Sequence, residues 1–192
     1  MASAGDAALT HLAGIEAASD GSITGFSFTG LSADYPHLYF KCRVAYHQEF
    51  WYPYSMRLNM GDGSIDTNSV YNRGVTWGYA GNHYGFGDSL QSYATVWVAP
   101  PTTDVGASDQ MTDGTLGMAE GTIWNYSDSG KNTAISYTSA CVKDGAISTY
   151  PYRYWGWVHY KTQNVVDQIQ IQYPSVNLKE GSRMDIWGWA GP

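Results

Sequence analysis

The sequence is poor in charge. Lys, Arg, Asp and Glu make up 14% of its 192 residues, against about 25% in an average soluble protein. Basic residues are the scarcer kind: ten Lys and Arg face seventeen Asp and Glu, for a net charge of −7. Between Arg73 and Lys131 there is no basic residue, whereas Asp88, Asp104, Asp109, Asp113, Glu120 and Asp128 fall in that gap. Phosphate contacts need clustered cations, so no nucleic-acid partner is expected. The acidic stretch reads as a solvated face with long loops, or as carboxylates gathered for a cation. No apolar run approaches the roughly 20 residues of a membrane helix, so no membrane insertion is expected. The first twenty residues lack a basic start and a continuous apolar stretch. No signal peptide is expected, and synthesis in a cytoplasm follows.

Other absences bear on chemistry. Cys42 and Cys141 are the only cysteines. They form no metal motif, and both are expected to be reduced, buried and inert. His11, His37, His47, His83 and His159 include no pair at close ligand spacing. His47, His83 and His159 could meet only through the fold. The chain has no Gly-x-Ser-x-Gly elbow and no phosphate-cradling glycine loop. Gly61-Asp62-Gly63-Ser64-Ile65-Asp66 has the look of a calcium loop. Aligned on its glycine, however, the loop places Leu58 and Met60 where carboxylates belong and Ser69 where the bidentate Glu should stand. A tight turn is the better reading. Asp62 and Asp66 could imitate a glycosidase pair, but such pairs arise by chance among seventeen acids. The expectation is therefore no catalytic residue, no metal, no cofactor and no enzymatic activity.

Aromatics are abundant: 8 Trp, 16 Tyr and 5 Phe, with 22 Gly. This composition favours an all-β protein, and scarce Lys, Glu and Leu argue against a helical bundle. From residue 22 onward the apolar period is two. Leu38, Phe40, Cys42, Val44 and Tyr46 alternate with Tyr39, Lys41, Arg43 and His47, as in a half-buried strand. Similar runs lie near 23–29, 54–60, 93–98, 121–126, 135–141, 152–161, 168–173 and 184–189. About nine short strands between turn residues predict an antiparallel β-sandwich or jelly roll over 21–192. The glycine-rich stretch 61–92 and the segment 99–118 read as long loops.

Residues 1–20 read as a separate N-terminal arm. Ser3 and Asp6 can cap a helix, and Ala7, Ala8, Leu9, Leu12, Ala13 and Ile15 follow at helical spacing, which predicts a short helix over 3–19. Such a helix packs on its own domain or on a neighbouring subunit, which makes Leu9, Leu12 and Ile15 candidate interface residues.

The aromatics fall in clusters. Trp155-Gly156-Trp157 and Trp187-Gly188-Trp189 each place two Trp on one face of a strand. If Met184, Ile186 and Gly188 face the core, Trp187 and Trp189 face outward. Three readings stay open for them: a subunit interface, a face covered by loops or the arm, or a platform for sugar rings. A second candidate glycan platform comprises Trp51, Tyr52 and Tyr54 with Trp77, Tyr79 and Tyr84, if these meet at one end of the sandwich.

Phe26-Ser27-Phe28-Thr29-Gly30-Leu31, then Tyr35, then His37-Leu38 resembles the opening of small structural proteins of tailed phages, especially marine and cyanobacterial ones. Met56-Arg57-Leu58-Asn59-Met60-Gly61-Asp62 is similar to their Arg-Phe-Asn-Gly-Asp strand end, with Met60 inserted. Ile169-Gln170-Ile171, followed by Gly181-Ser182 and Ile186-Trp187-Gly188, looks like their ending. The resemblance spans 22–190 and implies a non-enzymatic, jelly-roll-like virion component: a capsid decoration or a tail- or fibre-associated protein. The outward Trp187 and Trp189 and the N-terminal arm add the expected partners: copies of the chain itself, as a homotrimer or another symmetric oligomer, and other virion proteins. The alternative is a carbohydrate-binding module that reads host-surface glycans.

Overall fold

The computed structural model describes residues 9–45, 56–79, 82–96, 116–142, 152–172 and 177–190, with side chains for most of these. Twelve strands and no helix occur among the described residues: β1 (Leu9–Glu16), β2 (Gly25–Phe28), β3 (His37–Ala45), β4 (Met56–Gly61), β5 (Tyr71–Tyr79), β6 (Asn82–Gln91), β7 (Ala94–Val96), β8 (Leu116–Trp124), β9 (Thr133–Val142), β10 (Tyr152–Tyr160), β11 (Gln168–Gln172) and β12 (Arg183–Trp189). They form an eight-stranded sheet in the order β1-β12-β3-β8-β9-β10-β5-β6 and a four-stranded sheet in the order β2-β11-β4-β7. All the pairings are antiparallel. The protein is all-β, as its composition predicts.

One apolar core joins the two sheets. Phe26, Phe28, Met60, Ile169 and Ile171 from the small sheet pack with Leu38, Phe40, Val44, Ile123, Ile135, Val158 and Ile186 from the large one. Burying such side chains contributes about 1.5–3 kcal/mol each. Many tyrosines are core residues here: Tyr71, Tyr126, Tyr154 and Tyr160 are fully buried. The hydroxyls of Tyr71, Tyr126 and Tyr160 tie loops and sheets together. Tyr71 accepts from the Met60 amide at 2.9 Å and stacks on Tyr160 with ring centres 5.1 Å apart. Tyr160 donates to Asp66 Oδ2 at 3.1 Å, and Tyr126 donates to the Ser32 carbonyl.

The helical arm is overturned. Leu9–Glu16 is the edge strand β1, paired with β12 from Leu9↔Trp189 to Glu16↔Arg183. The register shifts between His11 and Ala13. This bulge adds one residue to the alternation, so Leu12 and Ile15 both reach the core at a three-residue spacing that imitates a helix. Gly14 leaves room for the Arg183–Asp185 pair above it, since a side chain there would overlap both. The stretch 61–92 is not one long loop, because it contains β5 and β6. Glycine at alternate positions obscured their strand pattern.

Candidate functional site

The outer face of the large sheet is a regular grid. Alternation turns Met184, Ile186 and Gly188 of β12 inward and Arg183, Asp185, Trp187 and Trp189 outward. On β10 it turns Tyr154, Gly156 and Val158 inward and Arg153, Trp155 and Trp157 outward. Register then aligns the outward residues in rows across the strands. One row reads His11, Trp187, Tyr39, Thr122, Ser136, Trp157, Gly74 and Gly87. The next reads Gly14, Asp185, Lys41, Glu120, Thr138, Trp155, Thr76 and Gly85.

Two regions of this face differ. On β1, β12, β3 and β8 the aromatics pack on one another. Trp187 lies between His11 and Tyr39, with ring centres 5.5 and 5.7 Å away. Trp189, His37 and Trp124 form a triangle with centres 5.1 to 5.7 Å apart. Trp124 donates its indole N–H to Ser136 Oγ at 3.0 Å, and Tyr39 donates to Glu120 at 2.8 Å. Burial and that Glu120 bond push the Tyr39 hydroxyl up to about 12. Burial holds the His37 imidazole below its usual range, and its Nδ1 accepts the Asn125 amide, as a neutral ring does. At the edge, Arg183 donates to both oxygens of Asp185 at 2.6 and 2.7 Å and to Glu16 at 3.1 Å. The guanidinium, with His11 on the same carboxylate, keeps Asp185 below the usual carboxylate range.

On β8, β9, β10, β5 and β6 the face is open. Trp155 and Trp157 are 47% and 51% exposed. The Trp157 indole lies across Gly74, where its Nε1, Cε2 and Cζ2 come within 2.5, 2.7 and 2.9 Å of the position a Cβ would take. Small residues surround the two rings, and two shallow recesses meet at Trp155. One of 370 Å³ extends toward Lys41, Glu120 and Arg153. The other, of 500 Å³, runs over Thr76 and Gly85 beside Trp157.

The sequence-predicted site residues are scattered. Leu9 is 47% exposed at the sheet edge, whereas Leu12 and Ile15 pack against the core. Trp187 and Trp189 are half-buried on the outer face, as the alternation predicts. Trp51, Tyr52 and Tyr54 lie outside the described residues, as does His47. Trp77 and Tyr79 are on β5, but their side chains are also outside the description. Tyr84, 37% exposed, pairs with Trp77 in register and alternates with Gly85, so it leaves the opposite side of β6 from the recess. Trp155, Trp157 and Arg153 are the face's new candidates. The Trp-Gly-Trp alternation marks the two Trp in the sequence, whereas no motif marks Arg153.

The other motifs serve the fold. Asp66 Oδ1 accepts from the Asn68 amide and side chain at 2.8 and 2.7 Å, and Oδ2 accepts from Tyr160. Among the described residues no three His, Cys, Asp or Glu side chains are grouped to hold a metal ion. Cys42 is buried, and burial pushes its thiol up to about 12. His159 shares a 3.0 Å hydrogen bond with Asn132 Nδ2. No helix among the described residues is long and apolar enough to cross a membrane.

No family model matches the chain, and no curated protein matches it. Among solved structures it has a likeness to a double mutant of the alginate lyase Aly36B in complex with alginate trisaccharide. The two chains are 12% identical, with 85% of this chain and 79% of that one covered at a TM-score of 0.22. An overlap of that quality defines no common fold.

Proposed function

We propose that the chain is a non-enzymatic structural component of a tailed-phage virion, a capsid decoration or a tail- or fibre-associated protein. It is made in the host cytoplasm and folds as a jelly-roll-like sandwich. The observation that carries this reading is the ordered aromatic layer of Trp187, Trp189, Trp124, His37 and Tyr39 on the outer face of the large sheet. Core packing does not require rings on that side. Aromatic anchors of this kind are enriched at the centres of subunit contacts. Symmetric copies, as a trimer or another closed form, and neighbouring virion proteins would bury them. The sequence resemblance supplies the particle context. Particles lacking the chain should take up the wild-type protein and should not take up a folded Trp187→Ser, Trp189→Ser variant. Equal uptake of both would remove the aromatic layer from the account.

A second reading, a carbohydrate-binding surface for host glycans, is favoured by the recesses around Trp155 and Trp157. A half-exposed indole laid across a glycine presents its outer surface to solvent. Such a surface suits the apolar side of a sugar ring.

A further inference from the structure

We infer that the track joining the two recesses is a groove for an anionic polysaccharide bearing uronate carboxylates. This inference rests on the carbohydrate-binding reading. The track crosses the strands along the register row Lys41, Glu120, Thr138, Trp155, Thr76 and Gly85. From β3 to β6 this row spans five strand intervals, about 24 Å at 4.8 Å each, room for several linked rings. Its floor beyond Trp155 is Thr and Gly, which lets a chain lie low and leaves hydroxyls to meet sugar hydroxyls. Trp155 stands in this row and Trp157 in the adjoining one, about 6.6 Å away along β10, so the second indole flanks the track and walls one side of the recess beyond Trp155.

The charge gives the ligand class. The chain has only ten basic residues and a net charge of −7. Even so, Lys41 begins this track on β3, and the adjoining row Arg43, Met118, Ala140 and Arg153 brings a second cation to its flank on β3 and a third beside Trp155 on β10. Arg153 is exposed, lines the 370 Å³ recess beside Trp155 and makes no ion pair or hydrogen bond among the described residues. Its planar fork suits a carboxylate taken bidentately. Lys41 and Glu120 form a loose exposed pair at 3.9 Å. A ligand carboxylate can displace Glu120 from such a pair. A peptide would need deeper pockets for alternate side chains than this floor provides.

The test is isothermal titration of the full chain with polygalacturonate and with its carboxyl-reduced, uncharged form, alongside Arg153→Gln and Trp157→Ala. Arg153 is exposed, so Arg153→Gln should melt with the wild type. The expected result is binding of polygalacturonate that weakens about ten-fold in Arg153→Gln, the scale of one charge-assisted contact. The reduced polymer should bind about ten-fold more weakly than polygalacturonate and be indifferent to that substitution. Trp157→Ala should lose both. Equal affinity for the two polymers, with Arg153→Gln unchanged, would overturn the anionic ligand class and leave the glycan reading standing. Absence of binding to either polymer would overturn the glycan reading and this inference together.

Discussion

Single residues on β10 and β12 show how a sandwich strand can carry aromatics on its outer side. In Trp155-Gly156-Trp157 and Trp187-Gly188-Trp189 the glycine faces inward, where a neighbouring ring fills the place of its missing side chain. Tyr137 fills it at Gly156 and Tyr35 at Gly188. The glycines are thus a packing requirement, and the outward Trp are free of the core. Gly156→Ala would drive a methyl into the Tyr137 ring, and overpacking of this kind costs about 1–3 kcal/mol. Gly87→Ala is its control: the nearest atom to a Cβ there is the Arg73 carbonyl at 3.4 Å, an ordinary contact. Thermal denaturation should place Gly156→Ala well below the wild type and Gly87→Ala near it. Equal melting of the two would mean that Tyr137 can move aside.

At the scale of elements, β1 separates what the sequence made legible from what it hid. Each run of clean alternation, such as Leu38, Phe40, Cys42 and Val44, holds a strand within its described residues, because a half-buried sheet imposes period two directly. The bulge at Leu12 broke that period, and glycines at 74, 78, 85 and 87 stand where the outward polar residues of β5 and β6 would complete the alternation. Those strands were invisible because their outward positions bear little or no side chain. The same sparseness makes the recess beside Trp157, so the cause of the missed strands is also the cause of the missed groove. The strand assignment of β1 can be tested by stability. Leu12→Asn with Ile15→Asn places two amides against Met184 and its neighbours in the core. Each unsatisfied polar group costs about 1–3 kcal/mol. The double variant should therefore melt far below the wild type, whereas a detached arm would tolerate it without change.

For the whole molecule, two sheets of unequal width leave a broad outer surface. The eight-stranded sheet needs only one side for the core it shares with the four-stranded sheet. Among the described residues no further sheet covers its other side, and the aromatics divide there into a self-packed layer on β12, β3 and β8 and an open pair on β10. We propose assembly for the first and ligand binding for the second. Because they occupy different strands, substitutions in one should leave the other's activity intact. Assembly is the central claim, and sedimentation velocity of the purified chain over a range of concentrations tests it most directly. A single symmetric oligomer, a trimer in the simplest case, that dissociates into a folded monomer in Trp187→Ser, Trp189→Ser is the predicted result. A monomer at every concentration, or an oligomer indifferent to both substitutions, would contradict it.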